Sequence, residues 1–427
     1  MKARGFFGFD KTLAVSAVLL SCLGLVFIYS ASSYSAEIYF GDAFHYVETQ
    51  AVALVLGVAA MLVISFVPPE KIGKFSVWLY VAGLILLVAV FIPGLGVESY
   101  GAKRWINLGF FTVQPSEFAK FAMVLFLADF AARNGVHTFP RALVFLAAGG
   151  LVCLLLLLEP NMSITVCVGA VTFVMLFVAG AKPRHIVVVL IPVFVAGIAL
   201  LFAEPYRVRR LLAFVNPWDS PLDEGYQLIQ SYYALGSGGL FGVGLFNSRQ
   251  KFLFLPFAES DFIMSVIGEE TGFFGMLAIT AIFVVVVVRG AVIALRATDR
   301  FSCYTTAGIT AVIAVQTVFN IAVVCGAVPP TGLPLPFVSA GGTSLVAYLA
   351  AVGVLLSISR YANSSVFLPF GARVGKWFEK QTRERADART TIRGNARARD
   401  SAHMERAHNG NAGAATPMTA ADTETGA

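Results

Sequence analysis

The chain has 427 residues, of which 57% are hydrophobic and only 13% charged, about half the charged share of an ordinary soluble protein. Its mean hydropathy of +0.77 leaves too little polar surface for a soluble body of this size, which argues against soluble enzymes, nucleic-acid readers and disordered scaffolds. Much of the +6 net charge collects after the last apolar run, in Arg373, Lys376, Lys380, Arg383, Arg385, Arg389, Arg393, Arg397 and Arg399, the pattern of a cytoplasmic flank.

A spanning helix needs roughly twenty apolar residues. Stretches of that kind fall near 12–31, 50–68, 74–93, 116–134, 141–158, 162–180, 184–203, 262–288, 303–326 and 341–359. The first lacks a small-residue cleavage site and is followed by further spans, so it reads as a retained helix. The fold class expected is an all-α polytopic membrane protein of ten spans, with both termini on one side. Lys2, Arg4 and Lys11, then Lys71 and Lys74, Arg133 and Arg141, Lys182 and Arg184, and Arg289, Arg296 and Arg300 occupy alternate loops, whereas the other short loops hold little beyond Lys103 and Arg104. The positive-inside rule therefore makes the termini cytoplasmic and sets the longest loop, about 204–260, outside. The organisation expected is a cytoplasmic start at 1–11, a membrane domain at 12–360, and a cytoplasmic tail at 361–427 with the composition of a disordered segment.

Four constellations carry chemistry. The first joins Gly101-Ala102-Lys103-Arg104-Trp105-Ile106-Asn107 to Gln114-Pro115-Ser116-Glu117-Phe118-Ala119-Lys120. Pro115 and Ser116 suit a helix start with Ser116 as N-cap. Glu117 and Lys120 share a helix face and can pair, either as a structural pair or in contact with substrate. The second lies in the outer loop: Tyr206-Arg207-Val208-Arg209-Arg210, Asn216-Pro217-Trp218, Gly225-Tyr226-Gln227 and a glycine-rich run at 236–244. Arginines of this kind clamp phosphate by bidentate hydrogen bonds, and glycines allow close backbone approach, although glycine runs also serve helix packing alone.

The third runs from Leu255 to Glu270, with Asp261 where the outer loop enters the eighth span. A carboxylate at such a mouth is partly desolvated, and its pKa rises towards that of a useful general base. Glu269 lies about 12 Å further along the helix and Glu270 faces nearly opposite, so neither forms a carboxylate pair with Asp261. The fourth, Pro329-Pro330-Thr331-Gly332-Leu333-Pro334-Leu335-Pro336-Phe337-Val338-Ser339-Ala340-Gly341-Gly342-Thr343-Ser344, has too many prolines for an ordinary helix. It fits a rigid re-entrant segment beside the outer site, or a short proline-rich loop. The five cysteines and five histidines show neither a disulfide framework nor metal-site spacing.

Together, over residues 10–360, these constellations resemble the SEDS family (shape, elongation, division and sporulation), which includes FtsW, RodA and SpoVE. The resemblance implies a glycosyltransferase that polymerises lipid II into peptidoglycan strands, using undecaprenyl-pyrophosphate-linked glycan as donor. It also implies work beside a class B penicillin-binding protein and other divisome proteins, and a catalytic role for Asp261. Asn216-Pro217-Trp218-Asp219 and Gly236-Ser237-Gly238-Gly239 favour the division branch and a place in the inner membrane at the septum; Thr331-Gly332-Leu333-Pro334-Leu335-Pro336 is closer to the elongation branch. The expected substrate contacts are Lys103, Arg104, Glu117, Lys120, Arg207, Arg209, Arg210, Gln227, Lys251 and Ser339, and the expected structural or gating residues are Glu269, Glu270, Pro336, Gly341 and Gly342. A divalent cation, Mg or Mn, could assist the pyrophosphate, though nothing in the sequence identifies its ligands. This chain departs from the family pattern at Asn161 (usually Asp), Ala340 (usually Tyr), Thr343 (commonly Ser), Phe257 and Glu259-Ser260. A lipid II flippase is the competing class, since a many-span bundle with a broken segment also suits a transporter.

Overall fold

In the computed structural model, residues 8–99, 102–107, 109, 112–202, 205–362 and 383 are described. The first seven residues and, Arg383 apart, the tail beyond Ala362 lie outside the described residues, and with them the expectation of a disordered tail. All the elements belong to the unit Met1–Val366.

Each apolar stretch coincides with a helix: α1 (Lys11–Phe40), α2 (His45–Ser65), α3 (Pro69–Ala89), α4 (Pro115–Asn134), α5 (Phe139–Leu158), α6 (Met162–Val178), α7 (Pro183–Phe202), and, after two shorter helices, α10 (Ile263–Arg296), α11 (Arg300–Val324) and α12 (Gly342–Tyr361). Among the described residues, seven helices are long and apolar enough to cross a membrane by length and composition: α1, α2, α3, α5, α10, α11 and α12. The chain is a polytopic helical membrane protein.

Local chemistry sets the ends of these helices. Asp10 caps α1 by accepting from the Leu13 amide at 3.0 Å, and Gly41 stops it in the left-handed conformation at φ 71°. Asp299 caps α11 in the same way, accepting from the Ser302 amide at 2.9 Å. At α4 the expected cap is corrected. Gln114 is the N-cap, Pro115 opens the helix, and Ser116 sits inside the first turn, where its buried hydroxyl has no hydrogen-bond partner. Proline is preorganised for the first helical position, which moves the boundary two residues towards the N-terminus of the reading that made Ser116 the cap.

Two further features depart from the expectation, one from the all-helical class and one from the reading of 204–260 as a loop. Residues between α3 and α4 form a small antiparallel sheet of β1 (Gly96–Ser99), β2 (Ala102–Asn107) and β3 (Thr112–Val113), in that order. Lys103 and Arg104 therefore stand on a strand. The long outer loop is partly helical, with α8 (Pro205–Val215), a 3-10 turn at Pro217–Asp219 and α9 (Tyr226–Gly238).

Among the seven candidate spans the most enclosed is α12, which packs against α2, while α11 packs against α10, α4 and α6. At the α2–α12 crossing a Cβ on Gly353 would lie 2.7 Å from the Met61 carbonyl oxygen; small residues let membrane helices approach closely in this way. One end of the bundle gathers the start of α1 and the ends of α2, α10 and α12: Arg289 pairs with Asp10 through Nε at 3.0 Å, the Asp10 amide donates to Ser359 Oγ at 3.0 Å, and Arg360 donates to the Ser65 carbonyl at 3.1 Å. Asp261 lies at the other end of α10, next to the non-helical segment between α11 and α12.

Candidate active site

Asp261 sits two residues before α10, half-buried, in a loop with little regular structure. Such backbone needs hydrogen bonds from elsewhere, and here side chains and the α11–α12 segment supply them. Asn320 of α11 donates from Nδ2 to the Asp261 carbonyl at 2.9 Å and to the Leu333 carbonyl at 2.8 Å. Ser339 donates to the Ser260 carbonyl at 2.6 Å while accepting from the Leu335 amide at 2.8 Å. The Ala340 amide donates to the Glu259 carbonyl at 2.9 Å. Gly332 grazes the carboxylate: at φ +70° a Cβ there would lie 3.1 Å from Asp261 Oδ2, so both space and backbone conformation call for glycine.

The Asp261 carboxylate receives the Ser260 hydroxyl at Oδ1, 3.1 Å away. Burial pushes its pKa up, and this outweighs the lowering by the Ser260 hydrogen bond and by the Arg210 and Arg104 guanidinium groups. Glu259 is also pushed up by burial, with Asp261 adding to the rise. A carboxylate with a raised pKa and nearby cations has the properties of a general base for a hydroxyl bound beside an anion.

The cations approach from separate elements. Arg104 on β2 donates to the Glu159 carbonyl at 3.4 Å and to the Pro160 carbonyl. The Glu159 side chain, at the end of α5, is buried with neither carboxylate oxygen hydrogen-bonded, and burial, opposed by Arg104, pushes its pKa up to about 8. Arg210 of α8 donates to the Pro330 carbonyl at 3.4 Å, and Arg209 pairs with Glu224 at 3.0 Å. Arg209, Arg210, Tyr226, Gln227 and Pro256 line an open cavity of about 690 Å³. The Arg207 side chain lies outside the described residues. Lys103 is exposed on β2, and Lys251 donates to the Phe246 carbonyl with its ammonium 5.6 Å from the Phe252 ring centre.

Glu117 and Lys120 form an ion pair at 2.8 Å with each side chain 1% exposed, sealed between α4, α11 and α12. Lys120 also donates to Gln316 Oε1 and to the Tyr348 hydroxyl, both at 3.1 Å, and Ser344 donates to Glu117 Oε2 at 2.8 Å. Glu269 and Glu270 are buried as well. Glu269 accepts from the Ser248 hydroxyl and from the Arg249 amide at 2.9 Å, and Glu270 accepts from Ser30 and from the Ser248 amide at 3.3 Å. They tie down the stretch between α9 and Asp261, just ahead of a break in α10 at Gly272, where φ is 67° and ψ −167°. Pro336 is buried. Gly341 precedes α12 and donates to Gln50 Oε1 at 3.0 Å, and a Cβ on Gly342 would lie 3.2 Å from the Ala53 Cβ. Among the described residues no three His, Cys, Asp or Glu side chains are grouped to hold a metal ion. A Mg or Mn ion here would draw most of its ligands from substrate oxygens and water.

Asn320, Gln316 and Gln50 are the residues that sequence reasoning passed over. Their signal is present: uncharged amides inside otherwise apolar spans, which have to find partners there.

The profile of the FtsW, RodA and SpoVE family, described as cell cycle protein, matches residues 10–364. The stage V sporulation protein E of Bacillus subtilis (strain 168) is 42% identical over 360 residues, covering 83% of this chain and 98% of that one. A protein of Geobacter metallireducens named "Probable peptidoglycan glycosyltransferase FtsW" is 39% identical over 357 residues, 82% of this chain and 94% of that one. Among solved structures, a chain from a study of polymerization and crosslinking by a peptidoglycan synthase complex superposes with a TM-score of 0.70 at 28% identity, over 84% of this chain and all of the other (100%). The rod shape determining protein RodA of Thermus thermophilus superposes at 0.63 with 27% identity, over 85% of this chain and 100% of that one.

Proposed function

The chain belongs to the FtsW, RodA and SpoVE family, and on that premise we propose that it is a peptidoglycan glycosyltransferase that polymerises lipid II at the outer face of the inner membrane, for septal wall synthesis. The observation that carries this reading is the Asp261 carboxylate, raised in pKa by burial and set between Gly332, Arg104 and Arg210. Asp261 takes the proton of the 4-hydroxyl of an incoming lipid II N-acetylglucosamine. That oxygen bonds to the anomeric carbon of the lipid-linked chain, the bond from this carbon to the pyrophosphate oxygen breaks, and undecaprenyl pyrophosphate leaves. Asp261 then releases its proton to solvent. General-base catalysis is worth about 10²–10⁴ in rate, so positioning and charge stabilisation contribute the rest. Arg210 and Arg209, on the wall of the 690 Å³ cavity, hold pyrophosphate, and Arg209 also pairs with Glu224.

The test is the full-length chain with lipid II, scored for glycan strands on a gel. Strands are expected, and Arg209→Ala/Arg210→Ala is expected to weaken lipid II binding and lower turnover. Absence of strands from folded chain assayed with its class B penicillin-binding protein partner would overturn the activity. Full binding and turnover in the double variant would remove the clamp alone. The partnership is supported by the likeness to a chain of a peptidoglycan synthase complex, and the division branch by relatives named FtsW.

Sidedness follows from loop charge. With the five native cysteines replaced, Leu222→Cys, at an exposed position of the outer loop, is expected to react with an impermeant thiol reagent in cells with a permeabilised outer envelope and an intact inner membrane. Thr390→Cys is expected to react only after lysis. Labelling of position 390 in intact cells would invert the orientation and remove Asp261 from the outer face.

A further inference from the structure

We propose that Asn320 is a positioning residue for the transfer, a clamp in α11 that holds the Asp261 backbone and the Gly332–Leu333 turn as one unit. The proposal rests on the reading of Asp261 as the base. Asn320 is 1% exposed and reaches both segments from one nitrogen, with the Asp261 carbonyl 2.9 Å and the Leu333 carbonyl 2.8 Å away. An amide nitrogen carries two hydrogens, so each carbonyl takes one and the donor is saturated. The acceptors also fix the amide's orientation, because the reversed amide would set Oδ1 against two carbonyl oxygens. Neither clamped segment has a ladder of its own, since both lie outside helices and strands.

The consequence reaches the reacting carboxylate through Gly332. This residue precedes the clamped Leu333, and a Cβ on it would stand 3.1 Å from Asp261 Oδ2. The distance between backbone and carboxylate on that side is therefore set by the hydrogen bonds of the next residue. One helical turn earlier, Gln316 repeats the device: Nε2 donates to the Pro334 carbonyl at 2.9 Å while Oε1 accepts from Lys120 at 3.1 Å and from Tyr348. Residues four apart share a helix face, so α11 presents a two-rung amide ladder to the non-helical segment. A leucine of similar shape at 320 would fill the space and leave both carbonyls without their donor.

The experiment compares full-length wild type, Asn320→Ala and Asp261→Asn in liposomes, measuring kcat, KM for lipid II and the pH profile. Asn320→Ala is expected to lower kcat about 100-fold, the scale of a misplacement near 1 Å, with KM within about twofold. The acid limb is expected to move to lower pH, by on the order of half a unit, because a loosened loop admits water to Asp261. Among the described residues, the charged and titratable groups facing Asp261 are Arg104 from β2, Arg210 from α8 and Glu259 from its own loop, and the substitution alters none of them. The position of the limb does not depend on how much of the chain is folded, so lost stability alone would not move it. Asn320→Ser, which keeps one donor, is expected to fall between wild type and alanine, and supplies the measurement where the alanine chain inserts poorly. An unmoved limb, or a loss carried by KM with kcat intact, overturns the clamp. If Asp261→Asn turns over at the wild-type rate, the base reading fails first and the clamp with it. An inactive Asp261→Asn beside an Asn320→Ala chain with the wild-type limb sinks the clamp alone.

Discussion

Asp261→Asn is expected to lower lipid II polymerisation by about 10²–10⁴, the usual contribution of a general base, while membrane insertion and partner association stay at wild-type levels. Asparagine keeps the size of the side chain and can still receive the Ser260 hydroxyl, now 3.1 Å from Oδ1, but its amide cannot take up the proton of an attacking alcohol. The substitution also leaves the Asp261 carbonyl free to accept from Asn320, so the loop keeps its tether. The competing role for Asp261 is a charge at the start of α10, which is worth only about 0.3–1 kcal/mol at an exposed helix end and would leave activity nearly intact. The sign of the pH dependence follows from burial. Because the folded pKa of Asp261 lies above its ordinary value, burial of the carboxylate opposes folding where the group is ionised, and this cost fades as pH falls and the carboxyl protonates. Activity runs the other way, rising with pH as the base form appears. Asp261→Asn should therefore be no less stable than wild type at neutral pH and slightly more so as pH rises. The pairing of lipid II polymerisation with co-purification of the penicillin-binding protein decides the matter: a folded, partner-bound Asp261→Asn chain making long glycan at near wild-type rate rules Asp261 out as the base.

The spans were legible because a run of about twenty apolar residues has few other uses; their ends were less so, because Gly41, Pro69 and Asp299 set boundaries outside the apolar runs at 12–31, 74–93 and 303–326. The place of Asp261 at the mouth of α10 was legible for a related reason: a carboxylate at the junction of a polar loop and an apolar run stands out against its surroundings. The sheet over 96–113 was hidden, since its strands are two to six residues long and pair in a register that no alternating pattern announces. The helical part of the outer loop was obscured by charge and glycine, which left 204–260 read as one long loop although Tyr226–Gly238 is regular. Asn320 and Gln316 escaped notice because an amide in a span signals that it needs a partner without saying which. Those partners, the carbonyls of Asp261, Leu333 and Pro334, lie on segments brought together only by the fold. The same holds for the glutamates at 269 and 270, whose spacing argued against a pair with Asp261 but could not reveal the Ser248–Arg249 backbone that they hold.

Lys120→Met is expected to cost about 3–5 kcal/mol of stability, the penalty for leaving one charge of a buried pair without its partner. Both side chains are 1% exposed, so neither water nor salt replaces the lost ammonium. Glu117 would keep only the Ser344 hydroxyl, at 2.8 Å, with Oε1 already lacking a hydrogen bond. Glu117→Gln should cost less, because Lys120 would retain Gln316 Oε1 and the Tyr348 hydroxyl, each at 3.1 Å, and the face of the Tyr348 ring 4.4 Å from its ammonium. The double variant Glu117→Gln/Lys120→Met removes both charges and is expected to recover most of the loss, since apolar or neutral replacements of buried pairs are often close to neutral. Reversible denaturation of the four chains in one detergent gives the coupling directly. A Lys120→Met chain within about 0.5 kcal/mol of wild type, the range of ordinary surface changes, would mean that water reaches the pair and that it is not sealed. Should the pair instead touch lipid II, the double variant would regain stability but not its affinity for lipid II. The Gln316 link to the Pro334 carbonyl makes some loss of turnover expected even for a packing role. The stable double variant should then show reduced kcat with KM for lipid II unchanged, whereas direct substrate contact would raise KM.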